Sequence, residues 1–150
     1  MEGIRNRCRE DIKWIPIIRL RADQVALLMC IAKVYIDFGP HPGKDRIPRE
    51  AAVCGCCIIT NREGSAEYSE DVGIPEEYKL FDMLNYDKVL DTIYDLIDNY
   101  DERVKEYEAY VKHCHRRKIN MMNSWRICRR WLLKYARIMQ MRRSCMLTRK

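Results

Sequence analysis

The chain has 150 residues, of which 47% are apolar and 33% carry a charge. This composition excludes extended disorder, and the length suits one domain, residues 1–150, with a single hydrophobic core. The charged N-terminal residues exclude a signal peptide, and no stretch approaches the ~18 apolar residues that a membrane span needs. We therefore expect an intracellular protein, in the cytoplasm, the nucleus or both, that is not secreted.

The N-terminal part, residues 1–85, predicts a small unit of strand, helix and strand. The segment DIKWIPIIRL at 11–20 predicts a strand, and Pro16 places it at a sheet edge or a bulge because proline has no N–H for the ladder. Apolar residues at helical spacing predict a largely buried helix over 22–39. A proline-rich segment then predicts a loop, and AAVCGCCIIT at 51–60 predicts a second strand.

The C-terminal part, residues 86–150, predicts two long helices. The first has an apolar seam with alternating spacings of four and three: Tyr86, Leu90, Ile93, Ile97, Tyr100, Val104, Tyr107, Val111 and Cys114. The second has a seam at the same spacings: Trp125, Cys128, Leu132, Tyr135 and Met139. A short connection favours an antiparallel hairpin. The predicted fold class is therefore α+β and mainly α, with the strand–helix–strand unit packed on a long C-terminal helical hairpin.

Positive charge concentrates at the C-terminus. Residues 112–150 contain 13 Lys or Arg and no Asp or Glu, whereas the whole chain has a net charge of +6. Guanidinium groups contact phosphate in a bidentate manner, and a patch without local acids gains affinity from counterion release. We therefore predict a surface that binds nucleic acid, RNA before DNA, or another polyanion, formed by Arg116, Arg117, Lys118, Arg126, Arg129, Arg130, Lys134, Arg137, Arg142 and Arg143.

Two other interpretations of the hairpin remain open. In the first, Asp91, Asp95 and Asp98 of the first helix pair with arginines of the second helix across the hairpin, and the basic face is an ordinary solvated surface. Alternatively, the protein is an interaction module that uses an exposed part of the seam to form a homodimer or to recruit an acidic or helical partner protein. Virus-encoded host-interaction factors share this small, cysteine- and arginine-rich composition.

The eight cysteines predict reduced and mostly buried thiols, because an intracellular chain is kept reduced. A structural zinc site is the alternative, with Cys54, Cys57, His113 and Cys114 as its four ligands, since zinc prefers sulfur and imidazole nitrogen. Signatures of P-loop, dinucleotide-binding, serine-hydrolase and zinc-protease enzymes are absent from the sequence. We therefore expect a non-catalytic protein without a cofactor.

Overall fold

The computed structural model of the protein describes residues 2–42, 46–116 and 145–149, the last of these as backbone. The strands in these residues are β1 (Lys13–Ile17), β2 (Val34–Asp37), β3 (Cys57–Asn61), β4 (Lys79–Leu80) and β5 (Cys145–Arg149). They all run parallel and form one sheet in the order β1–β5–β2–β3–β4. Helices in the connections make this an α/β fold.

The helices are α1 (Glu2–Arg5), α2 (Ala22–Ile31), α3 (Arg46–Val53), α4 (Tyr86–Asp98), α5 (Tyr100–Arg103) and α6 (Glu108–Arg116), with single 3-10 turns at Gly64–Ala66, Glu76–Tyr78 and Val104–Tyr107. Their apolar faces and the central strands share one hydrophobic core. The residues of β2 and β3 are buried throughout, as expected for parallel strands that are covered on both sides. No helix in the described residues is long and apolar enough to cross a membrane.

The first predicted strand is confirmed, but the helix that follows it is shorter than predicted. β1 pairs only with β5 at the edge of the described sheet, which is the position that Pro16 indicates. α2 ends at Ile31, Ala32 is extended, and β2 begins two residues later. The predicted helix over 22–39 therefore covers both α2 and the buried strand β2. Both segments are apolar, and neither shows a clear alternation of polar and apolar residues.

The predicted loop and second strand are wrong in their boundaries. α3 occupies the end of the predicted loop and continues into the predicted strand, where Ala51 and Ala52 pack in the core. Gly55, at a φ of 85°, lies between α3 and β3. Glycine reaches this left-handed conformation without strain, so it suits the sharp turn from the helix to the strand. Only the last part of the predicted strand is β3.

The predicted hairpin, and with it the mainly α fold class, is wrong. β5 is a strand between β1 and β2 where the second helix was expected to continue, and residues 117–144 lie outside the described residues. The first helix is also interrupted, because α4 ends before Asn99 and a 3-10 turn separates α5 from α6. The strands that pair with β5 are far away in the sequence, so local periodicity could not reveal this pairing.

The acidic residues of α4 have basic partners in the described part of the chain. Asp98 accepts two hydrogen bonds from the Arg9 guanidinium, at 2.7 and 2.8 Å. Asp95 lies 2.7 Å from the Nε of Arg103. These ion pairs attach the N-terminal segment to α4 and α4 to α5. Part of the acidic charge that was expected to face the basic C-terminal residues is therefore paired elsewhere.

Candidate functional site

The carboxyl ends of β2 and β3 form the most polar interior region of the described protein. Parallel strands place their carboxyl ends at one edge of the sheet, and open α/β proteins bind ligands outside that edge. The buried polar residues in the described part of the chain are Asp37, His41, Arg49, Glu50, Thr60, Asn61, Ser65 and Lys79. All of them lie on β2, β3, β4 or the connections between these strands.

Asp37 is the last residue of β2 and is 1% exposed. One carboxylate oxygen accepts a hydrogen bond from the hydroxyl of Tyr35 at 2.8 Å, and the other accepts the backbone N–H of Gly39 at 3.2 Å. The carboxylate therefore fixes the direction in which the chain leaves the strand. A buried carboxylate with both oxygens hydrogen-bonded is a positioning group for the loop that follows it.

Asn61, the last residue of β3, connects two loops that we call the edge loops, residues 38–42 and 62–64. Its amide donates to the carbonyl of Gly39 at 3.1 Å and accepts the N–H of Glu63 at 3.4 Å. The first edge loop also accepts a hydrogen bond from the residue that follows the second, because the backbone N–H of Ser65 donates to the carbonyl of His41 at 2.9 Å. Asn61 itself is 1% exposed, so its hydrogen bonds are shielded from water.

Gly64 makes the close approach of the edge loops possible. Its φ is 56°, and a Cβ added there would lie 2.0 Å from the carbonyl oxygen of His41. Only glycine fits this combination of a left-handed backbone and a neighbouring carbonyl. Pro40, Pro42 and Gly64 are exposed, whereas the residues that support the edge loops, Asp37 and Asn61, are buried. The result is an exposed backbone surface on a buried and hydrogen-bonded support.

α3 follows the first edge loop along the chain and carries a group of charged residues. Arg46, its first residue, is largely exposed and forms an ion pair with Glu50 at 2.7 Å. Burial raises the pKa of the Glu50 carboxyl, and the charge of Arg46 opposes that shift. Arg49 is buried with Nη2 lacking a hydrogen-bond partner, and Asp71 lies 4.0 Å from that nitrogen. The start of α3 therefore offers one exposed and one buried guanidinium.

Arg62 and Lys79 complete the polar region next to β4. Arg62 donates to the carbonyl oxygens of Lys79 and Glu76, at 3.0 and 3.2 Å, and lies 2.9 Å from the Glu76 carboxylate. The buried ammonium of Lys79 contacts the same carboxylate at 2.8 Å. Both bases hold the pKa of Glu76 below its ordinary value, the hydrogen bond from Lys79 contributing most. These charges are mutually compensated and fix the segment that leads into β4.

Of the predicted basic surface, the structure describes one residue. Arg116, the last residue of α6, is exposed, which is compatible with a binding role. The other predicted residues lie outside the described residues: Arg117, Lys118, Arg126, Arg129, Arg130, Lys134, Arg137, Arg142 and Arg143.

The sequence predicted a loop after residue 39 but no functional site there, because β2 was assigned to a helix and the start of α3 to a loop. The segment VYIDFGPHPG contains the signal that could have located the edge loops. It joins β-branched and aromatic residues to a turn of Gly and Pro, which is the pattern of a strand that ends in a connecting loop.

The described residues contain no group of three or more His, Cys, Asp or Glu side chains that could hold a metal ion. The predicted zinc ligands Cys54, Cys57, His113 and Cys114 therefore do not assemble into such a site. His113 is exposed, whereas Cys57 and Cys114 are buried. Burial raises the pKa of Cys57 to about 12, so it is a protonated thiol at neutral pH.

One described cysteine departs from the prediction of reduced thiols. Cys30 on α2 is disulfide-bonded, whereas Cys8, Cys54, Cys56, Cys57 and Cys114 are not in disulfides.

Comparison with known proteins adds no further assignment. No protein-family model, curated protein or solved structure matches the chain significantly. The fold, the edge loops and the distribution of charge are therefore the features that indicate a function.

Proposed function

We propose that the protein binds a small phosphate-bearing molecule at the carboxyl edge of its parallel sheet, between the edge loops and the start of α3. The observation that carries this proposal is the concentration of the buried polar residues of the described chain on β2 to β4 and their connections. Burying charged and polar groups costs free energy that their pairing does not always recover. Two of these residues, Asp37 and Asn61, hold two exposed loops in position, which favours a role in binding over a role in stability alone.

The chemistry of this edge favours an anion. Arg46 presents an exposed guanidinium in the first turn of α3, where the helix dipole also favours negative charge. Phosphate accepts bidentate hydrogen bonds from a guanidinium, so it suits the exposed Arg46.

Calorimetric titration of the full chain with inorganic pyrophosphate tests this proposal. Arg46→Gln removes the exposed charge and should weaken binding about 10- to 150-fold, the range for a hydrogen bond to a charged group. Arg46→Lys, which keeps the charge, should lose less. Arg21→Gln is the matched control, because Arg21 is an exposed arginine at the start of α2 that also pairs with a carboxylate.

The titrations of the wild type and the two variants distinguish a site at α3 from a general effect of charge. Retention of pyrophosphate affinity in Arg21→Gln together with its loss in Arg46→Gln supports a site at α3. If the wild-type chain does not bind pyrophosphate, or if both variants lose affinity equally, the proposal is refuted. Urea unfolding of Arg46→Gln verifies that the variant is folded, since Glu50 loses its ion-pair partner in this protein.

A second candidate function is the binding of nucleic acid, RNA before DNA, by the basic C-terminal residues. It is supported by the 13 basic and no acidic residues in 112–150, and by the exposure of Arg116. If about five phosphates are engaged on a duplex, log affinity should fall against log salt with a slope of about −4 to −5. The activity would be non-catalytic, with little sequence selectivity.

Fluorescence anisotropy with an RNA oligonucleotide tests this second function. Charge reversal at Arg126, Arg130 and Lys134 should reduce both the affinity and the salt slope. Reversal of Arg5, Lys13 and Arg19, which are exposed in the N-terminal part of the chain, is the control for net charge. An affinity that does not depend on salt rules this function out.

Recruitment of a partner protein, or self-association through the seam, has less support. The residues Leu90, Ile93, Ile97, Tyr107 and Cys114 of the seam pack in the protein's own core and are not available to a second chain. Light scattering on the purified protein measures self-association, and a monomer at high concentration argues against a dimer.

A further inference from the structure

Phe81 is an unusually exposed aromatic side chain at the same edge of the sheet. It directly follows β4 and is 81% exposed, more than any other large apolar residue in the described chain. Full burial of such a ring in the core would be favourable by roughly 1.5–3 kcal/mol. Its position at the carboxyl end of the strand next to β3 places it beside the second edge loop.

One face of the Phe81 ring is supported by a fixed guanidinium. The Cζ of Arg62 lies 4.1 Å from the ring centroid. Arg62 cannot easily move away, because the carbonyl oxygens of Lys79 and Glu76 and the Glu76 carboxylate hold it. A guanidinium against an aromatic face is an attractive arrangement that fixes the plane of the ring.

The loop that carries Phe81 is also held in position. The Asp82 carboxylate accepts the backbone N–H groups of Leu84 and Asn85 at 2.9 and 3.3 Å. Asn85 in turn accepts the N–H of Lys88 at the start of α4. The ring is therefore supported on one face, held by an anchored loop, and largely open to solvent.

We propose that Phe81 is a stacking platform for a nucleobase, which makes the ligand of the edge loops a nucleotide. This inference rests on the proposed phosphate site, because the platform and that site share one edge of the sheet. A base has a flat π-face that stacks on an aromatic ring, and such stacking does not require a particular base. The phosphate would occupy the edge loops and the start of α3 while the base lies on Phe81.

Titration of the full chain with AMP, UMP and ribose 5-phosphate tests the platform. Phe81→Leu keeps an apolar side chain but removes the ring, and it should weaken binding of the two nucleotides about 5- to 150-fold. Phe81→Tyr should bind like the wild type. Ribose 5-phosphate has no base, so its affinity should be the same in all three proteins.

Leu84→Ala is the matched control, because Leu84 lies in the same loop and is 79% exposed. If Phe81→Leu and Leu84→Ala affect nucleotide binding equally, or if Phe81→Leu has no effect, the platform is refuted. That result leaves the phosphate site standing as long as pyrophosphate binds and depends on Arg46. Loss of pyrophosphate binding in the wild-type chain would instead refute the proposed function.

Discussion

Replacement of Gly64 by alanine should destabilise the protein by separating the edge loops. A Cβ at this position would lie 2.0 Å from the carbonyl oxygen of His41, whereas ordinary contact begins at 3.4 Å. The loops must therefore separate by about 1.4 Å, which breaks the hydrogen bond from Ser65 to His41. The φ of 56° adds a left-handed penalty that glycine does not have.

The magnitude follows from these two contributions. The left-handed conformation costs an alanine about 1–2 kcal/mol. The lost hydrogen bond adds about 0.5–1.5 kcal/mol, so the free energy of unfolding should fall by about 1.5–3.5 kcal/mol. For a chain of 150 residues this corresponds to a decrease in Tm of roughly 3–14 °C. Urea unfolding followed by circular dichroism measures the change.

Gly39→Ala is the matched control for this prediction. A Cβ there would lie 3.3 Å from the Asp37 carboxylate, and the backbone is not in the left-handed region. We expect a loss of less than about 1 kcal/mol, within the range of an ordinary tolerated substitution. Equal stabilities of Gly64→Ala and Gly39→Ala would contradict the close approach described for the edge loops.

Three further predictions concern stability and reactivity. Thr60→Val should raise the free energy of unfolding by about 1–2 kcal/mol in urea, because the buried hydroxyl has no hydrogen-bond partner in the described residues; a loss of stability would contradict this. Arg9 lowers the pKa of Asp98, so this pair stabilises the folded protein at pH values above the unfolded pKa of about 3.9. The contribution is lost as the pH falls through the lower pKa that Asp98 has in the folded protein. Since the pair is exposed, Arg9→Gln should cost about 0–1 kcal/mol at pH 7 and less at pH 2; equal differences at both pH values would exclude the linkage. The Cys57 thiol, with a pKa of about 12, should resist iodoacetamide at pH 8 until the protein is unfolded, as measured by mass spectrometry; rapid labelling of the native protein would contradict its burial.

The sequence predicted some elements because their physical signals are local. Proline has no N–H, so Pro16 indicated an edge strand, and β1 is at the sheet edge in the described protein. The seam that begins at Tyr86 identified residues that pack in the core, although the helix that carries them is interrupted. Apolar periodicity predicts which side of a segment is buried, but not whether the segment is continuous.

The buried strands could not be separated from helices by the same reasoning. β2 and β3 are covered on both faces and have no alternation of polar and apolar residues. Ala51 and Ala52 have high helix propensity, but the β-branched residues that follow them dominated the prediction over 51–60.

By itself the sequence determined the edge position of β1, the core-facing residues of α4 and α6 and the concentration of positive charge after residue 112. These features depend on side-chain chemistry and on short-range spacing. Only the tertiary structure decided that β5 pairs between β1 and β2, and that the ends of β2 and β3 meet in one polar edge. Both depend on contacts between segments that are distant in the chain, and such contacts leave no periodic signal in either segment.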